Sequence, residues 1–180
     1  MNLLLVAVGL SKVVFGGLVA ALGIWLAFRG LNRLLGTDPT VDLEKGNVAA
    51  GIVHAASLLA LGLLVQNAVN ATFDAVDLTI RGAPLHPLSL LRLGFFALTH
   101  VGVSLLVSTG VLALGMVLFD KMTPGVDELA EVRRGNVALA LVLAAILVVF
   151  ALLTAPGLQA TLNGLIPFPE LPPATFRAPA

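Results

Sequence analysis

The sequence predicts an all-α membrane protein with four transmembrane helices, arranged as two tandem helical hairpins. Three observations carry this expectation. AVILMFWYC make up 58% of the 180 residues and DEKR only 11%, against roughly 25% charged in an ordinary soluble domain. The apolar residues gather in four runs, each about as long as a membrane crossing. Finally, Gly46-Asn47-Val48-Ala49 recurs as Gly135-Asn136-Val137-Ala138, so the chain repeats itself.

Composition also excludes several classes. Mean hydropathy is +1.04. Ten Lys/Arg balance ten Asp/Glu, and cysteine is absent. Disorder, a disulfide scaffold and a cysteine-ligated metal domain do not fit these figures. A nucleic-acid binder would need a basic footprint that is missing here. A soluble monomer could not cover so much apolar surface with so few charges.

A helix needs about 20 mostly apolar residues to cross about 30 Å of hydrocarbon. The first run, 3–28, holds a single charge, Lys12. It has no basic leader and has a counterpart later in the chain, so it reads as a retained helix and not as a signal peptide. The second run, 48–69, contains His54, and the third, 93–119, contains His100. The fourth, 137–153, is expected to continue towards 165, with Pro156 and Gly157 kinking or fraying it. Membrane β-strands would alternate apolar and polar residues, which these runs do not.

The approaches 38–45 and 120–134 read as solvated loops with a short amphipathic helix on the headgroups. The outer connection, 73–90, reads as an interfacial loop with a partial helix. The tail, with five prolines in 167–180, reads either as an extended segment that docks on a partner or as a disordered one when the protein is alone. The resulting division is a first hairpin over 1–75, an extracytoplasmic connection over 76–92, a second hairpin over 93–166 and a Pro-rich tail over 167–180.

Orientation follows from basic residues in the short connections. Arg29, Arg33, Lys45, Lys121, Arg133 and Arg134 fall on one side; Arg81, Arg92 and Arg177 fall on the other. The first side is therefore expected in the cytoplasm and both termini outside it.

The repeat extends beyond four letters. Each Gly-Asn follows an acidic-then-basic run, Asp42-Leu43-Glu44-Lys45 in one copy and Glu131-Val132-Arg133-Arg134 in the other. Ala71-Thr72 pairs with Ala160-Thr161 at the same offset, and Leu10-Ser11-Lys12-Val13 with Leu98-Thr99-His100-Val101 at nearly that offset. Two crossings return the chain to its starting side. The halves would thus share one orientation, related by a pseudo-twofold axis along the membrane normal.

Two tandem hairpins, each with a charged approach and a Gly-Asn-x-Ala helix start, resemble the YjfL-like family of bacterial inner-membrane proteins, classed as domain of unknown function 350. The resemblance covers nearly the whole chain. It implies a four-span protein of the bacterial inner membrane. It implies no established activity, so it transfers no catalytic residue. The charge-rich second approach and the proline-rich tail depart from a tidy pattern.

Ionisable and polar groups inside a membrane each need an account. Lys12 lies near a heptad of Gly9, Gly16 and Gly23, a stripe that would let another helix approach. Its plain role is an interfacial anchor that snorkels outwards. A buried functional lysine and a structural partner for a carbonyl or lipid phosphate are the alternatives. His100, Ser104 and Ser108 form one stripe on the third helix. That stripe would face the bundle interior or a subunit contact and bond to carbonyls there. A water-lined path or proton relay is the sharper reading. On the second helix Asn47, Gly51 and His54 share a face, with Ser57 nearby.

Asn47 and Asn136 read as N-caps, eased by Gly46 and Gly135 before them. The sharper alternative makes the two asparagines paired ligands near the pseudo-axis. Asp127, Glu128 and Glu131 could hold a cation, but no His/Cys pattern supports a metal site. No phosphate loop or nucleophile elbow is present.

These readings point to a structural or regulatory subunit of a membrane assembly, with no catalytic residues, cofactor or metal of its own. Its expected partners are the lipid bilayer and either further copies of itself or other membrane subunits. The alternative is a small channel or transporter that uses the polar stripes of the first three helices. A membrane enzyme ranks below both, since no set of base, nucleophile and ligand appears.

Overall fold

The computed structural model describes residues 3–35, 39–82, 86–122 and 127–165. It contains α1 (Leu3–Leu35), α2 (Pro39–Glu44), α3 (Val48–Gly82), α4 (Pro87–Met122), α5 (Glu128–Arg133) and α6 (Val137–Leu165). No strand occurs among the described residues. Stretches within α1, α3, α4 and α6 are long and apolar enough to cross a membrane, as in a multi-pass membrane protein. The short α2 and α5 are the helices expected in the two charged approaches.

The long helices overrun the apolar runs. At 1.5 Å per residue the 35 residues of α3 measure about 52 Å, well beyond the hydrocarbon. The expected interfacial loop at 73–90 is therefore mostly helix, as α3 reaches Gly82 and α4 starts at Pro87. Hydropathy marks the edge of the hydrocarbon. Backbone hydrogen bonding does not stop there, and Thr72 and Ala75 keep the helical spacing of buried positions beyond that edge. Pro87 fits the first position of α4, where a missing N–H costs nothing. The His86 carbonyl accepts from the N–H of Ser89 and of Leu90 just behind it.

Pro156 does not end α6, which runs through it to Leu165. Leu158 and Leu162, beyond the proline, are still buried in the core, and their packing holds the last turns. The tail at 167–180 lies outside the described residues.

The core lies between α3, α4 and α6. Val53 and Leu64 of α3 pack with Leu105 and Leu112 of α4 and with Leu143 and Leu147 of α6. A Cβ on Gly115 of α4 would stand 3.0 Å from Leu147 Cδ2. That glycine permits the close approach of α4 to α6. The outer helix, α1, buries only Val19, Gly23 and Ala27 among the residues whose side chains are described. It meets α3 closely at Gly23, where a Cβ would come within 2.9 Å of Leu61 Cδ2. The predicted glycine stripe is only partly used. Gly16 faces Phe73 at 3.7 Å, and Gly9 faces nothing within 4 Å.

Candidate functional site

Three polar features stand out: a junction between the two Gly-Asn motifs, a file of buried polar side chains, and an ion pair at the opposite end.

Each motif copy does the same two local jobs. Gly46 (φ 70°) and Gly135 (φ 94°) take the left-handed conformation that favours glycine. Each follows a short helix and closes it. The Asn47 N–H donates to Asp42 O, and the Asn136 N–H to Glu131 O, both at 2.9 Å. This is the glycine helix stop in which a later N–H reaches back to a free carbonyl. The same asparagine then starts the next helix. Asn47 Oδ1 accepts the Ala50 N–H at 3.1 Å, and Asn136 Oδ1 the Leu139 N–H at 3.3 Å. Gly-Asn is therefore a stop followed at once by a start.

The copies also meet. Asn47 Nδ2 donates to Arg133 O at 2.9 Å and to Val132 O at 3.3 Å. It thus supplies donors to the last carbonyls of α5, which lie 85 and 86 residues away. Asn136 instead turns to its own approach and donates from Nδ2 to Glu131 Oε2 at 3.4 Å. Arg134 pairs with the other oxygen of Glu131 at 2.7 Å. These contacts hold the Glu131 carboxyl below its ordinary value, the Arg134 bond first and the Asn136 bond second. The two asparagines are caps with different second partners.

The approaches hold one feature that the sequence reading missed. Glu128, in the first turn of α5, is fully buried, and neither carboxylate oxygen has a hydrogen-bond partner. No group of three or more His, Cys, Asp or Glu capable of holding a metal occurs among the described residues.

The second feature runs between α3 and α4. His54, Ser57 and Thr72 of α3 and His100, Ser104 and Ser108 of α4 are all buried. Most bond within their own helix. The Ser57 hydroxyl donates to Val53 O, Thr72 to Ala68 O and Ser108 to Ser104 O. The His54 ring donates through Nδ1 to Ala50 O at 2.7 Å. Ser104 crosses to the neighbouring helix and donates to Leu64 O at 3.1 Å. His100 stacks on Phe96 at 3.9 Å between ring centroids, and its Nδ1 donates to Phe96 O at 3.1 Å. In that tautomer Nε2 is a bare acceptor. It is buried with no partner.

The third feature is Lys12. Its Nζ pairs with Asp77 Oδ1 of α3 at 2.7 Å and lies 5.6 Å from the centroid of the Phe73 ring. Lys12 is thus tied to a carboxylate on another helix, a partner not anticipated from the sequence. The missed signal was geometric. In an antiparallel hairpin each step along α1 is matched by a step back along α3. Gly23 opposite Leu61 and Gly16 opposite Phe73 lead to Lys12 opposite Asp77. Ending the second helix near 69 hid that partner.

Residues 89–168 match the family model described as Domain of Unknown Function (DUF350). That segment is similar to the DUF350 family. The match takes in almost all of α4 and the whole of α5 and α6, so His100, Ser104, Ser108, the buried Glu128 and the second Gly-Asn motif are all part of the DUF350 segment. Lys12, Asp77, His54 and the first motif lie before it. No curated protein and no solved structure matches the chain significantly. The DUF350 match brings no activity with it, so chemistry rests on the geometry above.

Proposed function

We propose that the protein is a structural or regulatory subunit of a bacterial inner-membrane assembly, with no reaction of its own. One observation supports this best. The centre between α3, α4 and α6 is filled by Leu64, Leu143 and Leu147, all fully buried, while α1 is held along one edge only. A helix with an apolar flank and unfilled space at Gly9 and Gly17 suits packing against another membrane helix. The asymmetry of basic residues favours termini outside the cytoplasm. The partner is a further copy of the chain or another membrane subunit.

Purified protein in liposomes should pass no ion or small solute above empty vesicles. In mild detergent it should run as a fixed-stoichiometry assembly through α1. Flux that His100→Ala abolishes would sink this reading. It would favour the second one, a small channel or transporter, for which the unpartnered His100 Nε2 beside Ser104 and Ser108 is the supporting observation.

A further inference from the structure

We propose that the groove between α1 and α4, floored by α3, is a binding site for a phospholipid with a primary-amine headgroup. The groove is about 500 Å³ in volume, within the range of about 300–1,000 Å³ typical of ligand pockets. Its polar end is Lys12, whose ammonium is paired with Asp77 of α3 just beyond the lining residues. The rest is mostly apolar, including Phe15, Leu22, Leu98 and Val101, and the hydroxyls of Ser11 and Thr72 are turned to carbonyls of their own helices.

Depth comes first. Asn47 and Asp77 stand at opposite ends of α3, about 45 Å apart at 1.5 Å per residue. That matches the 40–45 Å between the outer limits of the two headgroup layers. With the motif junction in one headgroup layer, Lys12 and Asp77 lie in the other. From Lys12 to Leu22 the groove descends about 15 Å, roughly half of the 30 Å hydrocarbon. It therefore spans one leaflet, with charge at headgroup depth and apolar walls beside an acyl chain.

Charge complementarity then selects the headgroup. The pair is neutral as a whole, but its two charges are separate and both are partly open to the surroundings, at 22% for Lys12 and 41% for Asp77. The ammonium has three donors and gives one to Asp77 Oδ1. A phosphate oxygen can take another. The second oxygen of Asp77 can accept from a primary ammonium on the same headgroup. Phosphatidylethanolamine offers both charges in one molecule. An anionic head would meet Asp77 with like charge. A quaternary ammonium has no N–H to donate. The groove is kept open at Gly94, where a Cβ would find nothing within 4 Å. This inference does not rest on the subunit reading, because the groove is separate from the outward flank of α1.

The test uses the full chain, purified in detergent and stripped of lipid. Palmitoyl-oleoyl phosphatidylethanolamine, phosphatidylglycerol and phosphatidylcholine are added separately, and bound lipid is counted by native mass spectrometry. Phosphatidylethanolamine should be retained about tenfold better than the other two, as expected for loss of one charge-assisted hydrogen bond. Asp77→Asn and Lys12→Met should each erase that preference. Gly94→Leu should block the chain while leaving the ion pair intact. It replaces a helical glycine with a better helix former, so folding is preserved. Equal retention of all three lipids would overturn the proposal. So would wild-type retention by Gly94→Leu.

Discussion

The two helices of the first hairpin have similar lengths and composition but opposite surroundings. In its most apolar stretch α3 is 56% buried inside the protein, and α1 only 6%. α3 touches α4, α6 and α1, and carries Ala49, Ala60, Leu64 and Ala68 fully buried. α1 sits on its flank, with Leu10, Val13 and Leu18 exposed. Hydrophobicity therefore does not reveal which helix builds the core. In a bilayer, lipid tails solvate leucine as well as another helix does. Burial is instead signalled by small residues and hydroxyls. α3 has Ala49, Ala56, Ser57, Ala60, Ala68 and Ala75 buried, whereas the small residues buried on α1, among those whose side chains are described, are Gly23 and Ala27.

The sharpest way to break this comparison is to truncate one leucine on each side of it. Leu147→Ala leaves a cavity at the centre of α3, α4 and α6. Such truncations cost about 2–5 kcal/mol in water-soluble cores. Here the lower end is expected, because lost packing counts in a membrane and transfer from water does not. Leu10→Ala on α1 should change stability by less than about 0.5 kcal/mol. Unfolding midpoints in mixed micelles should separate the two clearly. Equal losses would mean that α1 is part of the core.

Much of this arrangement was legible in the sequence. The four crossings followed from apolar run length. The capping role followed from Gly46-Asn47 and Gly135-Asn136, because a stop and a start are local events. The His100, Ser104 and Ser108 stripe followed from helical spacing, and all three are buried. Other parts depend on contacts between distant residues. The Lys12–Asp77 pair was hidden because α3 continues as a helix past the hydrocarbon edge. Asn47 reaching Arg133 O requires both hairpins to be docked. The burial of Glu128 depends on where a six-residue helix lands, and six residues are too few for a period to show.

The two motif copies offer a finer comparison. Asn47→Ala removes a helix cap together with the donors to Val132 O and Arg133 O. It should cost about 1–2 kcal/mol. Asn136→Ala removes a cap and one long bond to Glu131, and should cost about 1 kcal/mol. Chemical denaturation should rank Asn47 above Asn136. The reverse order would show that the contact between the hairpins adds little. The glycines come next. Gly46→Ala and Gly135→Ala should each cost about 1 kcal/mol, because a Cβ opposes the left-handed backbone. Gly46, at φ 70°, lies nearer the ideal of about +57° than Gly135 does. Asn, which tolerates that conformation, should therefore rescue position 46 better than position 135.

The smallest expected effect is a pH dependence confined to the second copy. The Glu131 carboxyl is held below its ordinary value of 4.5 by Arg134 and then by Asn136. A carboxyl lowered in the folded state stabilises the fold at pH values above its unfolded pKa. That contribution is lost as pH falls through the lowered value. Arg134 is largely exposed, so solvent and salt screen the pair and the effect is small. Stability measured from pH 7 down to about pH 3 should show a shallow loss below the ordinary carboxylate range. Glu131→Gln should flatten that part of the curve without moving the neutral-pH midpoint much. High salt should do the same to the wild type. If the acid loss persists in Glu131→Gln, another carboxylate carries it.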